Sequence, residues 1–144
     1  MGLSRDEIIA RAAREVGASP AVAVGDLARE AVAHPAAHGD VALVDVTRVD
    51  PRGRTDGPPV EARRVVGLTL AFDACVADAL AGVAIHRLIG PFGVVDVRPE
   101  GLVVVEVALG VSAKDLQERS TAPIQAGPSL GPVRLTPDAG TPTL

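Results

Sequence analysis

The chain has 144 residues, with 14 basic and 18 acidic side chains and a formal net charge of −4, which suits one domain of ordinary size. The acidic balance argues against nucleic acid as the main partner, because a phosphate backbone binds clustered Lys and Arg side chains. Hydrophobic residues make up 47% of the chain but aromatic residues only 1%, which leaves Ala, Val, Leu and Ile to build the core and excludes a base-stacking surface.

Cysteine content and hydropathy point to a cytoplasmic protein. Cys75 is the one cysteine and has no internal disulfide partner, so the composition gives no sign of an oxidising compartment. The N-terminal residues are charged where a secretory signal is apolar, and no run approaches the roughly 20 apolar residues of a membrane span. We therefore expect a cytoplasmic protein without a membrane partner.

The first half of the chain is predicted to alternate helices with short buried strands. Ser4 and Glu7 form a capping-box pair that opens an amphipathic helix, and Gly17 ends it. Asp26 is predicted to cap a second helix, over residues 27–33. The predicted strands are the apolar runs at residues 21–24, 41–46 and 64–71.

The second half continues with a helix and a hairpin. Asp73 is predicted to cap a helix that ends at Leu80 and carries Cys75 on its inward face. A two-strand hairpin is predicted around Pro99 and Gly101, where Pro opens the turn and Gly closes it. The predicted strands of this half are residues 83–89, 92–97 and 102–108, and a last helix is predicted over residues 112–119.

The C-terminal residues differ in composition from the rest. We expect one domain over residues 1–121 and a Pro- and Gly-rich tail over residues 122–144 that forms no regular element and wraps the domain, wraps a neighbour or is disordered. The prolines of this segment are Pro123, Pro128, Pro132, Pro137 and Pro142.

The alternation of helices with near-continuous apolar strands predicts the fold class. Such strands are typical of a parallel sheet covered on both faces. We expect an α/β fold with a mainly parallel sheet flanked by helices and a C-terminal β-hairpin.

The hairpin segment, residues 94–112, closely resembles the C-terminal signature of the B (β) subunit of 3-oxoacid CoA-transferases. In that family a strand ends in a Pro-Glu-Gly-Leu turn, as at residues 99–102, and the next strand carries a Val-Glu pair, as at Val105 and Glu106. The first helix and the Asp-Pro-Arg-Gly turn at residues 50–53 are also similar to that subunit. The resemblance covers roughly half of the chain and implies a CoA-transferase-like fold.

The family's catalytic residue is not recognisable. The resemblance implies a glutamate in a Glu-Asn-Gly setting that attacks the acyl-CoA and carries CoA as a thioester, but this chain contains no asparagine. The family's glycine-rich oxyanion loop corresponds to residues 22–26, where only Gly25 is a glycine. The chain is also short for a B subunit, so we expect a shortened, divergent relative in which the glutamate segment is missing.

Other reactive side chains have simpler structural explanations. His34 and His38 have a spacing that binds metal on one helix face, but Pro35 interrupts a helix there, so no metal site is predicted. Glu100 and Glu106 lie in the turn and strand of the hairpin, where a structural role is expected. Cys75 is expected to be buried.

A ligand site is predicted from topology instead, because ligands of open parallel sheets bind outside the carboxyl ends of the strands. Asp26 and Asp73 have the alternative role of helix caps. Arg48 suits a carboxylate or phosphate, with an exposed surface arginine as the alternative. The candidate substrate-binding residues are Gly25, Asp26, Thr47, Arg48 and Asp73.

Three functions remain open at this stage. The chain is an enzyme acting on an acyl-CoA or related acyl substrate by a route other than the glutamyl-CoA one, a catalytically silent subunit, or a relative repurposed for other chemistry. No catalytic residue or cofactor is assigned, and a CoA thioester would be a substrate. The mean hydropathy of +0.29 is high for a small domain, which favours a homo-oligomer or a hetero-oligomer with an A-subunit-like chain.

Overall fold

In the computed structural model, which describes residues 2–133, seven strands form one sheet in chain order. The strands are β1 (Val22–Val24), β2 (Val41–Asp45), β3 (Arg64–Leu68), β4 (Arg87–Gly90), β5 (Gly93–Arg98), β6 (Gly101–Val107) and β7 (Ile124–Pro132). The helices are α1 (Arg5–Val16), α2 (Asp26–Ala31) and α3 (Ala113–Arg119).

The sheet is mainly parallel, as predicted. Strands β1 to β4 pair in parallel, β5 pairs antiparallel with both β4 and β6, and β7 is again parallel to β6. Arg98 pairs with Gly101, so Pro99 and Glu100 form a two-residue turn between β5 and β6. The predicted α/β class and the hairpin are therefore confirmed.

The sheet is buried on both faces, which explains the near-continuous apolar strands. Consecutive strand residues point to opposite faces. Leu43 accordingly lies in the core beneath α1 and α2 together with Ile8 and Leu27, whereas its neighbour Val44 lies in the core of the opposite face. That second core also contains Leu116 of α3.

Helix α1 begins and ends where the sequence predicts. Ser4 and Glu7 form both hydrogen bonds of a capping box, and the backbone turns out of the helix at Gly17. The helix buries Ile8, Ala12 and Val16 against the sheet. Since these residues recur at helical spacing, the pattern alone was sufficient for this element.

A partly buried group of charges joins α1 to the sheet and is called the α1 ion-pair network (Arg11, Glu15, Arg64, Arg87, Asp96 and Glu106). Arg11 is only 3% exposed and donates to both carboxylate oxygens of Glu106, at 3.0 and 2.7 Å, and to Glu15 at 2.7 Å. Glu15 also accepts from Arg64 at 2.7 Å and from Arg87 at 3.2 Å. The network therefore connects α1 with β3, β4 and β6, and with β5 through the Arg87–Asp96 pair.

The helix predicted from Asp73 to Leu80 is absent, and this prediction is wrong. The segment is irregular and forms an isolated bridge between Cys75 and Val49: the Val49 N–H donates to the Ala74 carbonyl and the Val76 N–H to the Val49 carbonyl. The buried carboxylate of Asp50 accepts the Leu80 N–H at 2.9 Å. These long-range partners replace the hydrogen bonds that a helix would form within itself.

The strand predicted over residues 83–89 is also shorter than expected. Val83 and Ile85 hydrogen-bond to Thr55 and Gly53 in the loop before β3, and regular pairing with the sheet begins only at Arg87.

The C-terminal segment contains a strand, so the expectation of no regular element is wrong for residues 124–132. Among residues 2–133, β7 is the last strand of the sheet and pairs on one side only, which is where a proline such as Pro128 is tolerated. Pro137 and Pro142 lie outside the described residues. The boundary between a domain of residues 1–121 and a tail of residues 122–144 stays a prediction.

Within residues 2–133, no helix has both the length and the apolar character needed to cross a bilayer.

Candidate functional site

A cleft of about 620 Å³ opens at the carboxyl ends of β1, β2 and β3. It lies where the topology argument places a ligand site, beyond the last residues of three adjacent parallel strands. The apolar part of its lining includes Leu27, Leu68 and Leu70, and the polar part consists of Arg5, Asp26, Asp45, Thr47, Asp56 and Thr69.

Asp45 caps the N-terminus of α2. Its two carboxylate oxygens accept the backbone N–H groups of Leu27 and Ala28, each at 2.9 Å. Gly25, the residue before α2, makes this approach feasible, since a Cβ built there would lie 2.4 Å from the carboxyl carbon of Asp45. The predicted cap, Asp26, makes no such bond and is 89% exposed, so the assignment of Asp26 as the helix cap is wrong.

Asp56 organises the turn that follows β2. Its carboxylate accepts the hydroxyl and the backbone N–H of Thr47, and the backbone N–H of Arg48 at 3.2 Å. Partial burial opposes ionisation of this carboxyl, but the hydrogen bonds from Thr47 outweigh it and lower the pKa of Asp56. The Asp56 carboxylate is therefore charged, and its hydrogen bonds are made to the neighbouring turn at Thr47 and Arg48.

The single guanidinium in the lining is also paired. Arg5, the first residue of α1, donates to Glu30 of α2. This contact raises the pKa of Arg5 and lowers the pKa of Glu30. The lining thus contains three carboxylates, those of Asp26, Asp45 and Asp56. Its one basic residue, Arg5, is already paired with Glu30. The cleft is negative in sign.

The five predicted site residues are only partly brought together. Asp26 and Thr47 line the cleft, and Gly25 lies directly behind it against Asp45. Arg48 and Asp73 are exposed and lie outside the lining. The participation of all five in substrate binding stays a prediction.

Three polar residues of the lining, Asp45, Asp56 and Thr69, are not among the predicted site residues. Asp45 and Thr69 were assigned to the interiors of strands 41–46 and 64–71, but β2 and β3 end at Asp45 and Leu68. One signal in the sequence could have identified Asp45: it is a charged residue near the end of an apolar run. A strand that is buried on both faces is apolar along its length, so a charged residue indicates where the strand leaves the core.

Neither cysteine nor histidine adds chemistry to the cleft. Cys75 is fully buried, as predicted, and burial raises the pKa of its thiol to about 12, which keeps it protonated and unreactive. No group of three or more His, Cys, Asp or Glu side chains among residues 2–133 is arranged to hold a metal ion.

Comparisons with known proteins find likeness only at the level of structure. No protein-family model matches the chain, and no curated protein matches it either. The decarboxylase AibA/AibB matches with a TM-score of 0.70 at 15% identity, over 93% of this chain and 90% of that one. IpdAB from Rhodococcus jostii RHA1 matches with a TM-score of 0.60 at 13% identity, over 96% and 92%.

An acyl-CoA transferase from E. coli O157:H7 (YdiF), solved as a thioester complex with CoA, matches with a TM-score of 0.70 at 12% identity. The match covers 96% of this chain but only 44% of YdiF, so the chain spans less than half of that protein. The matches to AibA/AibB and IpdAB cover about nine-tenths of those chains, and the expected shortening relative to a 3-oxoacid CoA-transferase B subunit stays a prediction. At these identities the likeness concerns the fold: the chain has the CoA-transferase-like α/β fold that an acyl-CoA transferase and a decarboxylase also share.

Proposed function

We propose that this chain binds an acyl-CoA or a related acyl substrate in the cleft at the ends of β1, β2 and β3, and does not form a covalent CoA adduct on its own carboxylates. The observation that supports this is the cleft itself, which has the volume of a small-molecule site and lies at the strand ends of a CoA-transferase-like fold. The motif resemblance to the B subunit of 3-oxoacid CoA-transferases points to the same substrate class.

The hydrogen bonding of the lining carboxylates argues for a non-covalent role. Hydrogen bonds that stabilise a charged carboxylate hold it in place and lower its nucleophilicity toward a thioester. Both oxygens of Asp45 accept backbone N–H groups, and both oxygens of Asp56 accept donors from Thr47. Asp26, the third lining carboxylate, is 89% exposed and pairs with Arg29 at 3.4 Å.

The proposal is tested by calorimetric titration of the protein with acetyl-, butyryl- and benzoyl-coenzyme A, followed by intact-mass measurement. We expect saturable binding of at least one thioester and no gain in protein mass. A protein that binds none of the three contradicts the proposal, and a mass increase equal to CoA contradicts its non-covalent part.

A pair of leucine variants locates the binding site. Leu70 lines the cleft and is 54% exposed, whereas Leu109 is 95% exposed and lies outside the lining. Leu70→Asp adds a charge where an acyl chain would pack and is expected to weaken binding at least tenfold. Leu109→Asp is the matched control and is expected to leave the affinity unchanged; equal effects of the two substitutions contradict the assignment of the site.

A second candidate function is a catalytically silent subunit that pairs with itself or with an A-subunit-like chain. It is favoured by the commitment of the lining carboxylates to the chain's own backbone and by the exposed Leu109. AibA/AibB and IpdAB are each named as two-component proteins.

Light scattering during size-exclusion chromatography tests this candidate, first on the chain alone and then on the chain mixed with an A-subunit-like protein. We expect a mass of at least twice 14.6 kDa in one of the two samples. A species of 14.6 kDa in both samples counts against a subunit role.

A further inference from the structure

Thr69 is the most buried polar side chain that lines the cleft. It follows the last residue of β3 and is only 1% exposed. Its backbone N–H donates to the Ile89 carbonyl at 3.0 Å, which holds it against β4. Its methyl group is turned inward, since a Cβ built on Gly90 would lie 2.8 Å from it.

The hydroxyl of Thr69, a residue of the cleft lining, forms one hydrogen bond within the protein. Its oxygen accepts the backbone N–H of Ala71, another lining residue, at 3.1 Å. A hydroxyl carries one hydrogen as well as two lone pairs. Among residues 2–133 the Thr69 hydroxyl has no hydrogen-bond acceptor, so this lining residue keeps the capacity to donate one hydrogen bond.

The charges around this donor decide which oxygen suits it. The lining carboxylates of Asp26, Asp45 and Asp56 give the cleft a negative sign, and its one cation, Arg5, is paired with Glu30. A second carboxylate brought into such a site is repelled, whereas an uncharged carbonyl oxygen is not. At this position a carboxylate is therefore disfavoured relative to the uncharged carbonyl of a thioester.

We infer that Thr69 is a specificity-determining residue whose hydroxyl donates a hydrogen bond to the uncharged carbonyl oxygen of a bound acyl thioester. This inference rests on the proposed acyl-binding function and adds to it a donor atom and a substrate class. The residue binds and orients the ligand, and no bond is made or broken at its hydroxyl.

The test compares each thioester with the thioether in which CH₂ replaces the carbonyl, namely S-ethyl-, S-butyl- or S-benzyl-coenzyme A. We expect the wild-type protein to bind the thioester about five- to tenfold more tightly than its thioether, which is the effect of one net hydrogen bond. Thr69→Val is expected to remove this difference by weakening thioester binding alone, and Thr69→Ser is expected to restore it. Acetate, butyrate and benzoate are expected not to displace the thioester.

Thr121→Val is the matched control, because the Thr121 hydroxyl also accepts one backbone N–H, from Ala77 at 3.0 Å, but lies outside the cleft lining. It is expected to leave both affinities unchanged. Equal weakening of thioester and thioether by Thr69→Val, or weakening of neither, overturns the inference. The inference is also overturned if the wild-type protein binds the thioether as tightly as the thioester. This comparison does not depend on whether a variant folds.

Failure of the inference is distinguishable from failure of the proposed function. A wild-type protein that binds no acyl-coenzyme A overturns both. A wild-type protein that binds thioesters and is indifferent to Thr69→Val overturns the role of Thr69 alone.

Discussion

Gly25 shows how a single residue shapes the cleft. Its φ of +104° lies in a region that side chains other than hydrogen disfavour, and the carboxyl group of Asp45 fills the space that a Cβ would need. Sequence analysis marked this position from its place after a strand, but the reason for glycine depends on a residue that lies 20 positions further along.

Gly25→Ala is therefore expected to destabilise the protein more than Gly101→Ala. Gly101 also has a positive φ, of +126°, but a Cβ there would meet nothing within 4 Å. We expect Gly101→Ala to lower the free energy of unfolding by about 1–3 kcal/mol from backbone strain, and Gly25→Ala by a further 1–3 kcal/mol or so from overpacking against Asp45. Urea denaturation measures both; equal losses would show that the Asp45 contact contributes nothing.

At the scale of elements, local rules predict those helices and strands whose stabilising contacts are local. The capping box at Ser4 and the hairpin turn at Pro99 were both predicted, because their partners lie within a few residues. Helix α2 was predicted with the wrong cap, because Asp45 reaches it from the neighbouring strand. The helix at Asp73 was wrong for the same reason, since Val49 and Asp50 supply long-range partners.

The cap assignment leads to a direct comparison of two aspartates. Asp45→Ala leaves the Leu27 and Ala28 N–H groups without their carboxylate and is expected to lower the free energy of unfolding by about 1–3 kcal/mol. Asp26→Ala, in the same cleft but without a capping bond, is expected to change it by less than about 0.5 kcal/mol. Chemical denaturation of both variants provides the measurement, and a larger effect at Asp26 would restore the assignment made from sequence.

At the scale of the whole molecule, the α1 ion-pair network joins the N-terminal helix to four strands. Burial opposes ionisation of Glu15, but the hydrogen bonds from Arg64 and Arg11 outweigh it and lower the pKa of Glu15. A group whose pKa is lower in the folded state stabilises the protein fully above its unfolded pKa, near 4.5, and loses that contribution as the pH falls through the folded pKa.

Glu15→Gln is expected to lower the free energy of unfolding by about 3 kcal/mol at pH 7, because it removes the most buried carboxylate of the network and leaves Glu106 and Asp96 to balance three arginines. The difference from wild type is expected to shrink as the pH falls below 4.5, and to disappear below the lower folded-state pKa, where Glu15 of the folded wild type is also neutral. Glu118→Gln, which removes the exposed pair with Lys114 at 3.8 Å, is the control and is expected to change little at any pH. A pH-independent effect of Glu15→Gln would show that its charge is not what matters.

The two-residue turn at Pro99 and Glu100 has a practical consequence for measuring ligands. Because β5 runs antiparallel to β4, the turn after β5 lies at the opposite end of the strands from the cleft. Glu100 is exposed there. A dye or a surface tether attached through Glu100→Cys would leave the mouth of the cleft open, and Cys75, buried and protonated, would not compete for a thiol reagent. Position 100 is thus a suitable attachment site for ligand titrations on immobilised protein.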